Sequence, residues 1–264
     1  MFNIKSVASF SEPRDNIFLE NRKNNEDSFV SPIRNKNGYV FCIADGLGSY
    51  KGALNASRFV CRFLEDKKNI DHSYLSRLFA DDLTIEFGKY IQSLDKEYIK
   101  AATTLSVCFL DEFGLSIWHA GDCRVYIKKD KKLIQMTSDH TQYQKLLSKK
   151  IYTKKELEEH GIGKNTLTTA ISLSIPIEEE YLFIPMGDLR KEYGNELSII
   201  IMSDGAHHFW DLRRRFSEKT MSDIVKLSSA LQRRIERMGA IDDYTVVAAT
   251  FDVQNIADIR SHKL

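Results

Sequence analysis

Residues 40–57 read VFCIADGLGSYKGALNAS: an apolar run into Asp45, a glycine-rich turn, then the opening of a helix. The run predicts a buried strand, because β-branched and aromatic side chains suit a pleated surface packed against neighbours. A buried strand has no use for a charged end unless something there compensates the charge. DGLGSYKG alone admits three readings: a phosphate cradle, a metal site or a plain turn. A nucleotide-binding P-loop is excluded. The stretch lacks GxxxxGK[ST], and its aspartate would repel a phosphate unless a cation intervened.

Outward from this stretch, short segments rich in β-branched and aromatic residues recur at 38–44, 104–110, 115–120, 124–128, 133–136, 181–184, 197–203 and 244–251. These read as strands. DEFG after the second and KDKK after the fourth read as hairpin turns. Successive hairpins favour antiparallel sheet over βαβ repeats. Helical spacing appears in Ala56, Phe59, Val60, Phe63 and Leu64 and again in Ile224, Leu227, Leu231 and Ile235. Between them, Leu75, Phe79, Leu83, Phe87, Ile91 and Leu94 predict one long helix with Gly88 as its weak spot. The economical arrangement is an α+β fold: two antiparallel sheets face to face, with helices on both outer faces.

No Ser/Gly/Pro-rich linker and no repeat divides the chain, so residues 1–252 read as one domain with a polar tail over 253–264. Over about residues 141–166 the strand pattern lapses. There TKKELEEH carries a capping box, Thr153 with Glu156, that predicts a short helix in a projecting flap.

The 264 residues suffice for one large core. Thirty-eight basic against 37 acidic side chains leave +1, which gives no global electrostatic footprint for nucleic acid or anionic membrane and leaves only a local basic patch open. Cys42, Cys61, Cys108 and Cys123 have neither CxxC spacing nor a histidine at zinc-site distance. Four reduced thiols, no signal-peptide pattern at MFNIKSVASF and no membrane-length apolar run point to the cytoplasm.

Several aspartates share the setting of Asp45. Asp122 follows SIWHAG, Asp204 follows IIIMS and precedes Gly205, Asp242 precedes YTVVAATF, and Asp27 stands before another apolar stretch. Any one is a common turn. Together on one sheet edge they would repel one another unless cations neutralise them. Oxygen donors without cysteine or histidine select hard divalent ions. Two such ions around a water suggest hydrolysis of a phosphate ester.

The ordered set NEDSF, ADGLGS, AATTLSV, HAGDCRVY, SDHT, MSDG and DDYT, spread over about residues 20–250, resembles the metal-dependent protein Ser/Thr phosphatases of the 2C type, in their bacterial form. The resemblance implies a four-layer αββα sandwich with a cleft at one end. It also implies two Mn²⁺ or Mg²⁺ ions, a phosphorylated protein substrate, a cognate Ser/Thr kinase and a monomeric enzyme. Carried over to this sequence, Asp45 bridges both ions, the Gly46 carbonyl completes one shell, and Asp204 and Asp242 bind the first ion. Asp27 acts beside them, and Asp122 matches a ligand of a weaker third ion. Arg22, five residues before Asp27, matches the phosphate-binding arginine, so Arg22, Asp45 and Asp204 are the expected catalytic residues. Glu26, Asp139, His140 and Asp243 occupy supporting positions.

The departures are Ser49 in place of the last glycine of DGxGG, Ala102 before the paired threonines, and Asp243 for the common asparagine. Leu47 stands where eukaryotic members carry a histidine, so no general acid is expected there. His119 reads as a sheet residue, and His207 and His208 receive no catalytic role. The alternatives are a weakly active or inactive phosphatase-fold module that binds or regulates a partner, and a hydrolase of small phosphate esters.

Overall fold

The computed structural model describes residues 3–14, 24–35, 38–150, 152–163 and 166–254. Two five-stranded sheets are antiparallel at every pairing. One runs, in spatial order, β1 (Asn3–Glu12), β10 (Tyr244–Asp252), β9 (Glu196–Met202), β6 (Arg124–Lys129), β7 (Lys132–Gln135). The other runs β2 (Asp27–Asn35), β3 (Gly38–Asp45), β4 (Leu105–Asp111), β5 (Gly114–Ala120), β8 (Glu180–Pro185).

Side chains alternate across each strand, so a run such as IIIM serves two cores. Ile199 and Ile201 face the space between the sheets, with Val247 and Phe251 of β10 and Phe41, Ile43, Leu110 and Ile117 of the other sheet. Ile200 and Met202 face outward. There they meet Phe209 and Trp210 of α7 (Asp204–Leu212) and Leu227, Leu231 and Ile235 of α9 (Ile224–Met238). On the opposite outer face Val40, Cys42, Val107 and Trp118 pack against Val60 and Leu64 of α1 (Ala53–Asp66) and Leu83 and Phe87 of α3 (Phe79–Ser93). Helices cover both outer faces, as expected. All four cysteines are free and buried.

Two strands lie beyond the sequence expectation, and both are edges. In β1, NIKSVASFSE, most side chains are only half-buried or exposed, so no apolar run announces the strand. β2 contains Pro32 and breaks register between Val30 and Ile33. With β3 as its one partner it tolerates both.

The single helix expected over residues 75–94 is corrected to two, α2 (His72–Arg77) and α3, which part at Leu78 (φ −120°, ψ −22°). His72 explains the break. Its ring meets Asp111 Oδ1 and Ser116 Oγ, each at 2.7 Å, which ties α2 to the β4–β5 hairpin while α3 follows α1. Gly88 lies inside α3 without interrupting it.

Among the described residues the remaining α-helices are α4 (Gln142–Ser148), α5 (Lys154–Glu159), α6 (Met186–Tyr193) and α8 (Glu218–Met221), and a single 3-10 turn spans Lys96–Tyr98. The capping box of α5 is formed: Thr153 N donates to Glu156 Oε2 at 2.7 Å, and Glu156 N to Thr153 Oγ1 at 3.3 Å. KDKK is a two-residue hairpin loop in which Asp130 takes a left-handed backbone, φ 52°. Val253 is buried in the inter-sheet core, whereas residues 255–264 lie outside the described residues. Among the described residues, no helix is long and apolar enough to cross a membrane.

Candidate metal and active site

Asp27 opens β2 and Asp45 closes β3, and the two are register partners across that pair. Asp204 follows β9 as the first residue of α7. Asp242 and Asp243 lead into β10, the hydrogen-bonded neighbour of β9. Asp122 sits in the short turn from β5 to β6. Sheet topology thus gathers carboxylates from both ends of the chain, Asp27 and Asp45 with Asp204 and Asp242.

Asp45 is held through its backbone and Asp27 by hydroxyls. Asp45 N donates to Thr104 Oγ1 at 3.0 Å, and its carbonyl accepts from Thr104 N (2.8 Å) and Thr103 Oγ1 (2.9 Å). Gly46 N donates to the Glu26 carbonyl at 3.2 Å, which also accepts from Ser57 Oγ at 2.6 Å. Gly46 is absent from the positive-φ glycines, so no forbidden turn explains it. The cause is space: a Cβ would lie 2.7 Å from the carbonyl oxygens of both Ala53 and Glu26. Gly205 is constrained harder still, since its Cβ would fall 2.1 Å from the Asp243 carbonyl oxygen.

Asp27 is buried. Its Oδ2 accepts from Ser203 Oγ at 2.9 Å and Thr245 Oγ1 at 2.6 Å, while its Oδ1 is buried without a hydrogen-bond partner. Asp243 does different work. Its Oδ1 accepts from Arg14 N at 2.8 Å and its Oδ2 from Glu26 N at 2.6 Å.

The electrostatics follow from burial and crowding. Burial pushes the Asp45 carboxyl well above the usual range, and the charges of Asp27, Asp204, Asp122 and Asp242 push it further. Asp27 rises to about 7, through burial opposed by the Thr245 hydroxyl and reinforced by Asp204. Asp204 rises to about 6, through burial and then repulsion from Asp242. Asp122 is raised by burial, then by Asp204 and Asp139.

An orphaned buried carboxylate oxygen within a set of mutually repelling carboxylates is what a hard divalent cation would relieve. The donors are all oxygen, and they fit Mg²⁺ or Mn²⁺ better than zinc.

Supporting residues act on the Asp122 turn. His140 N donates to the Gly121 carbonyl at 2.8 Å, and Gly121 N donates back to His140 Nδ1 at 3.3 Å. Asp139 forms a two-point pair with Arg124, at 2.7 and 2.6 Å, and Arg124 also reaches Asp211 at 2.6 Å. His207, given no role from sequence, donates Nε2–H to the Asp122 carbonyl at 3.0 Å. Burial holds its ring neutral, with a pKa lowered to about 4. A signal for it existed, because it lies three residues after Asp204 at the start of a helix. Arg22 lies outside the described residues.

His119, His140 and Glu180 also bring one potential ligand atom each within 4.8 Å of one another. Both nitrogens of His119 are already engaged, with Ser106 Oγ at 2.8 Å and the Ser138 carbonyl at 3.1 Å, so this cluster reads as a hydrogen-bonded brace in the sheet.

Comparison with known proteins matches the family model described as protein phosphatase 2C to residues 19–240. Protein phosphatase PhpP of Streptococcus pneumoniae is 27% identical over 249 residues, which cover 89% of this chain and 95% of that protein. A solved S. agalactiae serine/threonine phosphatase superposes with a TM-score of 0.73 at 18% identity, over 94% of this chain and 99% of that one. The catalytic domain of the serine/threonine protein phosphatase PstP, solved in complex with 2 manganese ions, gives 0.64 at 20% identity, over 96% and 100%. At such identities the structural likeness is one of fold.

Proposed function

Since this chain belongs to the protein phosphatase 2C family, a family of metal-dependent protein phosphatases, we propose that it hydrolyses phosphoserine and phosphothreonine on protein substrates at the carboxylate cleft. What carries this is the meeting of Asp27, Asp45, Asp122, Asp204 and Asp242 at one end of the two sheets, with one buried carboxylate oxygen left unpaired.

Asp45, the Gly46 carbonyl, Asp204 and Asp242 would hold two divalent ions, Mn²⁺ or Mg²⁺, with Asp27 close by and Asp122 offered to a third. Bound there, such ions supply Lewis-acid activation of water and neutralise phosphoryl charge. The chain's own part is to keep these oxygens in place before substrate arrives. Thr103 and Thr104 fix the backbone of Asp45. Ser203 and Thr245 hold one oxygen of Asp27 and leave the other unpaired. His207 and His140 hold the Asp122 turn.

Arg22 is assigned to the phosphoryl oxygens by its spacing, where a guanidinium offers two-point contact. Leu47 has no proton to give, so the leaving alkoxide is protonated from water. Residues 141–166 serve as a flap. Its base is pinched by Gln142 N donating to the Thr166 carbonyl and Thr168 N to the His140 carbonyl, both at 2.8 Å. We place the enzyme in the cytoplasm as a monomer, opposed to a Ser/Thr kinase in a signalling pair.

The test is release of phosphate from a phosphothreonine peptide with Mn²⁺ or Mg²⁺, with and without chelator. Asp204→Asn should cut the rate on the order of a hundredfold or more while the circular dichroism spectrum is kept. Equal rates for variant and parent would overturn the proposal. A parent inactive with every cation would turn it towards a binding module.

A further inference from the structure

Residues 213–237 hold eight basic side chains against three acidic ones, a surplus of five in a chain whose total is +1. One of the eight is internal. Arg234 is buried, and its guanidinium donates to the carbonyls of Phe209 (3.0 Å), Arg213 (2.8 Å) and Arg215 (3.0 Å) while lying 3.9 Å over the Phe216 ring. It fastens the Arg213–Arg215 loop to α9. Arg214 pairs with Asp211 at 2.9 Å, and Lys226 reaches Asp223 at 3.7 Å. Glu218, the acid nearest in sequence to Lys219, pairs at 2.9 Å with Lys131. Among the described residues no carboxylate stands in ion-pair range of Arg213, Arg215, Lys219, Arg233 or Arg237. Arg213 and Arg237 crowd Arg234 closely enough for their charges to add to the burial that lowers its pKa. Crowding cations without partners is a cost that a bound anion offsets.

Between α8 and α9 the surface is concave. Lys219, Thr220, Val225, Lys226, Ser229 and Arg233 line a hollow of about 360 Å³ that contains no carboxylate and shares no residue with the catalytic cleft. We propose that this hollow docks a phosphorylated segment of a protein partner. Lys219, Lys226 and Arg233 take the phosphoryl oxygens, and the half-exposed Val225 meets an apolar neighbour. Only the choice of phosphate as the anion rests on the phosphatase function argued above. Charge complementarity selects the anion and shape selects its carrier. A hollow admits a single phosphorylated side chain but not a planar layer of headgroups, and its lining has no aromatic ring on which a nucleic-acid base would stack.

The experiment uses the full chain in chelator, where turnover stops and the carboxylate cleft repels phosphate. Fluorescence anisotropy follows a labelled peptide that carries two phosphothreonines. The parent should bind it, and the double variant Lys219→Glu/Arg233→Glu should bind roughly tenfold more weakly or worse, since two charge-assisted contacts are lost. With Mn²⁺ restored, the variant should hydrolyse p-nitrophenyl phosphate at the parental rate. The alanine pair Lys219→Ala/Arg233→Ala should fall between, which guards against an effect of added charge alone. Unchanged peptide binding in the variants would overturn the proposal. So would equal binding of the unphosphorylated peptide, or binding of phosphatidylserine vesicles, single-stranded RNA or free phosphate in place of the peptide. A parent that binds the peptide but hydrolyses nothing with Mn²⁺ would sink the phosphatase function and leave the docking site standing.

Discussion

Asp27 lies across the β2–β3 pair from Asp45, and its two oxygens have opposite fates. One is gripped by two hydroxyls and the other is buried with nothing to bind. The consequence for stability has a definite sign. Asp27 and Asp204 titrate in the folded chain near 7 and 6, above the ordinary carboxylate value. Between about pH 4 and 7 the folded chain therefore holds protons that the unfolded chain has released. Their contribution is complete at low pH and is lost as pH rises through 6 and 7. Neutral, buried His119 and His207 contribute in the opposite sense, because their pKa values are lowered to about 3 and 4. Comparing samples with and without cation at one pH cancels the histidines. Added Mn²⁺ should raise the melting temperature more at pH 8 than at pH 5, and cation at a hundred times its dissociation constant adds about 2.7 kcal/mol. Equal shifts at the two pH values would show that these carboxylates do not receive the ion. Gly205 offers a steric test. Gly205→Ala drives a Cβ against the Asp243 carbonyl and should cost about 3 kcal/mol, lowering the melting temperature by roughly 6–12 °C in calorimetry.

At the scale of elements, much was legible because it depends on local pattern. The apolar runs of β3, β4, β9 and β10 are long because both faces of each strand are buried. The aspartates at their ends meet because antiparallel neighbours share an edge. What escaped depends on contacts distant in sequence. β1 and β2 are edge strands whose partners, not their composition, make them strands. The break at Leu78 is set by His72 reaching Asp111. The hydroxyls that hold Asp27 come from residues 176 and 218 positions away. Asp243 shows how a departure from the family pattern acquires a reason. Both its oxygens accept backbone N–H groups, at Arg14 and Glu26, and an asparagine would present one acceptor and one donor to two donors. Asp243→Asn should therefore cost about 1–3 kcal/mol, read as a lowered unfolding midpoint in urea. A midpoint equal to the parent's would remove Asp243 from this role.

Over the whole molecule, the carboxylate cluster draws on both sheets at once, Asp27 and Asp45 from one and Asp204 and Asp242 from the other. The docking hollow on α8 and α9 lies in the helical layer over one sheet, which lets partner choice vary without touching the cleft. The pairing of β1 with β10 joins the first described strand to the last, Asn3 opposite Asp252 and Glu12 opposite Tyr244. That register has a consequence in time. At 5–20 residues per second, a ribosome needs roughly 10–50 s after finishing β1 to deliver the strand that pairs with it. Throughout that interval β1 lacks its β10 partner, and β9, which needs β10 to join it to β1, is itself made only late. The polar, alternating composition that hid β1 from a search for apolar runs suits a segment that must wait in water without sticking to other chains.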